Sequence, residues 1–217
     1  NRFGVEIGVR SIFEKPTVES LAQRIEGAIR TGAKQEAPPL VRVGREGQSD
    51  VRLPLSFAQQ RLWFMDQLTP NNPIYNIPGS VSLEARIDLA ALESAINEIV
   101  RRHEVLRTRI EVEAGQPAQV VDEWQPRRLE IEDLTGLPQD EREEKALRIT
   151  REEAGTGFDL SKGPLLRVKV LKLAEEEHVV LFTMHHIVSD GWSMGILITE
   201  VGALYQAYNA GEPSPLP

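Results

Sequence analysis

The chain has 217 residues, enough to bury a sizeable core, and its 41% hydrophobic and 27% charged content is that of a folded globular protein. A net charge of -8 opposes a nucleic-acid partner, which needs a concentrated basic surface. With no cysteine there is no disulfide, thiolate metal site or cysteine nucleophile, and no apolar run approaches the ~20 residues that cross a bilayer. A cytoplasmic location is expected, with no membrane partner. Asn1 without a leader and Pro217 in a proline-rich stretch read as the ends of an excised piece.

In chain order, Phe3 to Arg30 reads as two short helices, the second opened by Pro16-Thr17 and carrying Val18, Leu21, Ala22, Ile25 and Ile29 at helical spacing. Thr31 to Asp50 has no periodicity and reads as a linker. Ser56 is a helix N-cap ahead of Phe57, Leu62, Phe64 and Leu68, and Tyr75 to Leu83 is extended. Asp88 caps a helix with Leu89, Leu92, Ile96 and Ile99 on one face, ending near His103.

Strands are predicted at Leu106 to Val112, Gln119 to Asp122 and Arg128 to Ile131, separated by Gly115-Gln116-Pro117 and Gln125-Pro126. A solvated helix follows at Glu141 to Ala154. Then come strands at Leu165 to Leu173 and His178 to His185, joined by the charged turn Ala174 to Glu177. The last helix spans Trp192 to Asn209. Strands and helices mix without a repeated βαβ unit, which predicts an α+β layered sandwich.

The chemistry concentrates at His185-His186-Ile187-Val188-Ser189-Asp190-Gly191, where an apolar strand runs into a polar turn and a helix start. Successive strand side chains point to opposite faces, so His185 and His186 cannot both address one substrate. The same divergence opposes a shared metal ion, and no His-Glu-x-x-His pattern is present. Asp190 is either the N-cap of the last helix or an inward-facing carboxylate. The second case needs a cation, with Arg107 the first candidate and Arg102 the second. Trp63, Phe64 and Trp192 fit core packing better than the lining of a tunnel, and Ser193, outside any Gly-x-Ser-x-Gly elbow, fits helix capping better than nucleophilic catalysis.

Three motifs, Leu55-Ser56-Phe57-Ala58-Gln59-Gln60-Arg61-Leu62-Trp63-Phe64, Arg102-His103-Glu104-Val105-Leu106-Arg107-Thr108-Arg109 and Met184-His185-His186-Ile187-Val188-Ser189-Asp190-Gly191-Trp192-Ser193, stand in the order found in condensation domains of nonribosomal peptide synthetases, and the chain resembles the N-terminal half of one. Arg2-Phe3-Gly4-Val5-Glu6 and Phe13-Glu14-Lys15-Pro16-Thr17-Val18 resemble the end of a peptidyl carrier domain. The resemblance implies residues 1–32 as the C-terminal helices of a truncated carrier, 33–50 as linker and 51–217 as the N-terminal condensation subdomain.

It further implies a chloramphenicol-acetyltransferase-like α/β sandwich, one of two halves flanking a tunnel. There an acceptor aminoacyl amine attacks a donor thioester, both carried on 4'-phosphopantetheine arms whose attachment serine lies outside the chain. No cofactor or metal is expected on the domain itself. His186 is the implied catalytic residue, and the Gly191 N–H is a candidate oxyanion donor from its place at a helix N-terminus. His185, Asp190, Arg107 and Arg102 support the turn. The implied partners are an upstream donor carrier, a downstream acceptor carrier, the C-terminal condensation half and an adenylation domain in cis. The Ser56 to Phe64 motif resembles the type that joins two L-residues. An epimerisation domain shares the His-His-x-x-x-Asp-Gly pattern, and a carrier-binding half-domain without activity of its own is the non-catalytic alternative.

Overall fold

The computed structural model describes residues 13–14, 16–31 and 52–217. They fall in two compact units that divide between Glu46 and Gly47. The expected first helix lies almost wholly outside the described residues, as does the expected linker. In the first unit, helix α1 (Val18–Thr31) begins where the Thr17 hydroxyl accepts the Ser20 N–H at 3.2 Å, a capping hydrogen bond at its N-terminus.

The second unit contains β1 (Arg52–Pro54), α2 (Phe57–Leu68), β2 (Asn76–Leu83), α3 (Leu89–Arg102), β3 (Thr108–Glu113), β4 (Gln116–Val121), β5 (Glu130–Asp133), α4 (Gln139–Gly155), β6 (Leu166–Ala174), β7 (Glu177–His185) and α5 (Gly191–Asn209). Short 3-10 turns precede β2 and β3. A three-stranded antiparallel sheet has the order β1-β4-β3, and a four-stranded sheet the order β2-β7-β6-β5. The β5–β6 pair is parallel and the others antiparallel, as expected for an α+β sandwich.

Alternation along β6 and β7 sorts the core. Leu166, Val168, Val170, Val180 and Met184 meet Ala95, Ile96 and Ile99 of α3 and Val201, Leu204 and Tyr205 of α5. Leu171, Leu173, Val179 and Leu181 pack on the opposite face with Ala146 and Ile149 of α4. Each fully buried Leu, Ile or Val here contributes about 1.5–3 kcal/mol. Pro78 is tolerated within β2 because that strand's only sheet neighbour among the described residues is β7.

The caps form as expected. The Ser56 hydroxyl accepts the Gln59 N–H, the Gln59 side chain accepts the Ser56 N–H, and the Asp88 carboxylate accepts from Ala90 and Ala91.

Three boundaries move. Leu106 and Arg107 belong to a 3-10 turn, because the Leu106 N–H bonds the His103 carbonyl and the Thr108 hydroxyl reaches the Glu104 carbonyl. The β3–β4 turn is Ala114-Gly115, both at positive φ, so Gln116 and Pro117 are strand residues and not loop. The strand expected from Arg128 begins at Glu130, since Asn97 and Glu93 of α3 accept the Arg127 and Leu129 N–H groups before the sheet is reached.

Between α4 and β6 the chain passes through Gly157, where a Cβ would stand 1.8 Å from the Asn71 carbonyl oxygen. Neither backbone can yield cheaply, so only glycine fits. Gly157→Ala is expected to destabilise the fold by about 3 kcal/mol, read as a lowered urea midpoint, whereas Gly136→Ala, with open space at its Cβ, leaves the midpoint unchanged.

Candidate active site

The end of β7 separates the two histidines. His185 is 2% exposed and lies on the strand face of Leu181 and Thr183, while His186, one residue beyond the strand, is exposed. The reading that they point apart holds.

The buried ring lies 6.2 Å from Phe158 at nearly a right angle and 6.3 Å from Tyr75. Its Nδ1 accepts the Ile187 N–H at 3.1 Å, so in the neutral ring the proton is on Nε2. Burial, with His186 nearby adding to it, pushes the His185 imidazole down to about 4, since a dry pocket disfavours the charged form.

The turn after His185 is tied on every side. The Val188 N–H bonds the His185 carbonyl at 3.1 Å, and the His186 N–H bonds the Tyr75 carbonyl at 2.8 Å. From α2, the Gln59 side-chain amide donates to the Ile187 carbonyl at 3.3 Å and to Gln119 at 2.9 Å. Beneath the turn, Ile187 and Val188 pack in a core of Leu55, Ile110, Phe158, Leu160 and Leu165, with Leu62 and Trp63 against it. The first motif therefore supports the third directly. Behind the turn, Val188, Ser193 and His103 line a cavity of about 140 Å³.

Asp190 is the N-cap of α5: its carboxylate accepts the Ser193 N–H at 2.9 Å and the Ser193 hydroxyl at 2.7 Å. The Ser193 backbone and then its hydroxyl hold that carboxyl below its ordinary range. The expected ion pair with Arg107 is not formed. Arg107 donates to the Asp122 carbonyl and pairs with Glu104 at 3.5 Å, and Arg102 donates to the Pro217 carbonyl at 2.9 Å. Asp190 is exposed, so water and the helix end satisfy it without a cation. His103 reaches Glu200 of α5 at 2.6 Å, so that residue of the second motif ties the end of α3 to α5, while Arg107 and Arg109 bind Asp122 at the end of β4.

Gly191 opens α5 at the surface. Trp63 packs against the core as expected, but Phe64 is 56% and Trp192 83% exposed, so core packing is corrected for those two. The sequence leaves Tyr75 open between a site role and core packing, and sequence reasoning missed Phe158 and Arg167. Their signal is an aromatic or cation beside a strand end, which becomes specific only once the strands are paired.

The family model for the condensation domain matches residues 50–217. The chain belongs to the condensation-domain family. It is 46% identical over 206 residues to a linear gramicidin synthase of Brevibacillus parabrevis, covering 95% of this chain and 4% of that protein. It is 39% identical over 193 residues to phosphinothricin tripeptide synthetase PhsC of Streptomyces viridochromogenes, covering 88% of the chain and 18% of the relative.

Among solved structures, the first condensation domain of the calcium-dependent antibiotic synthetase, in complex with a substrate analogue, superposes with a TM-score of 0.71 at 25% identity, over 78% of this chain and 41% of that one. The starter condensation domain of rhizomide synthetase gives a TM-score of 0.70 at 25% identity, over 76% and 41%. The sandwich is thus the condensation-domain fold, and the chain spans a small part of the synthetases that it resembles.

Two outcomes follow from the electrostatics. Because folding lowers the His185 pKa, the unfolded chain binds the extra proton between about pH 6.5 and 4, and stability falls as pH drops through that window by up to about 3 kcal/mol. Urea midpoints at pH 7 and 4.5 measure this, and His185→Gln, whose side-chain carbonyl can accept the Ile187 N–H, flattens that part of the profile. For Asp190 the cap is strongest with the carboxylate: Asp190→Asn, a neutral acceptor, lowers the melting temperature slightly and Asp190→Ala lowers it more. The gap between Asp190→Ala and the unaltered chain narrows, without vanishing, as pH falls below the ordinary carboxylate range.

Proposed function

We propose that this chain supplies one wall of an amide-forming site in a nonribosomal peptide synthetase, with His186 as the reacting histidine. The observation that carries the reading is the separation of the pair: a neutral, buried His185 holds a tight turn, and that turn presents His186 to solvent from a strand end whose backbone is fixed to Tyr75. The His186 backbone is held in place while the ring stays open to substrates arriving from outside.

In the proposed reaction the acceptor α-amine attacks the donor thioester carbon, forming the C–N bond. His186 takes or orients the surplus amine proton, and the C–S bond breaks to release the donor arm as its thiol. The Gly191 N–H, first of α5, is the proposed donor to the developing oxyanion. His185 and Asp190 are assigned to holding the turn and the start of α5.

Both acyl groups are proposed to arrive on 4'-phosphopantetheine arms of carrier domains, a donor upstream and an acceptor downstream. No cofactor belongs to the domain itself. The match to a second linear gramicidin synthase polypeptide of Brevibacillus parabrevis covers 98% of the chain, whereas the condensation model begins at residue 50. The preceding residues therefore also have counterparts in a synthetase, which supports residues 1–32 as the end of a carrier and 33–50 as linker. The early motif supports an L-to-L condensation, in a cytoplasmic enzyme with a second condensation half and an adenylation domain in cis.

The coverage of about two fifths of a solved condensation-domain chain favours a second reading for the isolated chain: it binds carriers without turnover. In the synthetase module that contains the chain, His186→Ala is expected to lower amide formation between loaded carriers by at least ~100-fold with the melting curve unchanged. Near-normal turnover overturns the assignment, and Cα proton exchange without amide product identifies an epimerisation domain instead.

A further inference from the structure

Arg167 of β6 lies outside the three motifs and is held by more acceptors than an ordinary surface arginine. Its Nε meets the Glu153 carboxylate at 3.2 Å, one terminal nitrogen donates to the Glu153 and Thr156 carbonyls at 3.1 and 2.6 Å, and the other donates to the Gly157 carbonyl at 3.2 Å. These carbonyls lie at and just beyond the C-terminal end of α4, where helix carbonyls lack partners and the dipole favours a cation. Arginine spreads five donors over three nitrogens in a fixed plane and so reaches all four acceptors, more than the three donors on the single nitrogen of a lysine.

The same guanidinium lies 3.9 Å from the centre of the Phe158 ring, and Phe158 abuts the His185 ring. His185 in turn fixes the Ile187 N–H. A single run of contacts therefore leads from the end of α4 through Arg167, Phe158 and His185 to the turn that bears His186. Asn76, next to Tyr75, grips the same end of α4 at the Ala154 and Thr156 carbonyls, both at 2.8 Å, so the two aromatic neighbours of His185 are both anchored there.

We propose that Arg167 is a positioning residue for the reaction, setting the place of His186 by clamping Phe158 against His185. The proposal rests on His186 being the reacting group. Misplacing a reacting group by about 1 Å can cost ~100-fold, and loss of the clamp frees the ring to rotate without unfolding the core beneath it.

In the synthetase module, Arg167→Met and Phe158→Leu are each expected to lower kcat for amide formation about tenfold, with KM for the loaded acceptor carrier within twofold. The double variant falls no further than the worse single one, because the two side chains act in series. In the 217-residue chain, nitrogen and carbon NMR of the imidazoles is expected to show the His185 signals shifted in both single variants.

An Arg167→Met module at wild-type kcat overturns the proposal, as do additive losses or His185 signals that stay in place. If Arg167→Met fails to fold, Phe158→Leu carries the same kcat and NMR test. A wild-type module that makes no amide defeats the functional reading instead, and the His185 signals then decide whether the clamp exists.

Discussion

A strand changes face at every residue, and the two adjacent histidines stand where β7 ends. His185, the last strand residue, keeps the alternation and enters the core, while His186, one residue past the strand, is exposed. Burial of His185 in turn demands a neutral ring, a partner for its free nitrogen and aromatic walls, which Ile187, Tyr75 and Phe158 provide. The buried ring fixes the first N–H of the turn, and the Asp190 cap then starts α5.

Support for the turn comes from distant parts of the chain. Gln59 arrives from α2, Tyr75 from the segment before β2, and Phe158 from the connection after α4. The glycine at 157 lets that connection pass against Asn71, so the aromatic next to it reaches its place through a gap with no spare room. The turn is thus held by contacts between residues far apart in the chain.

What the sequence revealed follows the range of each interaction. Caps at Ser56 and Asp88 act within one helical turn, so they were legible, and so was the divergence of His185 and His186. The β3–β4 turn was not, because Ala114 adopts a left-handed conformation that its residue type disfavours. The start of β5 was hidden because it is decided by side chains of α3. For Asp190, a general rule about buried carboxylates pointed to Arg107, but Ser193, three residues on, satisfies the group locally and at the surface. The clamp on Phe158 depends on strand pairing and leaves no periodic trace.

The antiparallel register of β7 with both β2 and β6, Met184 standing opposite Ile77 on one side and Leu166 on the other, has a consequence for recombination between synthetases. A splice that adds one residue between the Glu175-Glu176 turn and the histidines would carry His185 to the exposed place and His186 to the buried place of Ile187, and one that drops a residue would carry both rings into buried places, those of Met184 and His185. Both neighbouring strands would oppose the slip, since their own side chains would then face the wrong layer. The hairpin must therefore be inherited as a block of fixed length, because junctions that preserve the motif letters but not this count would displace both rings from their places.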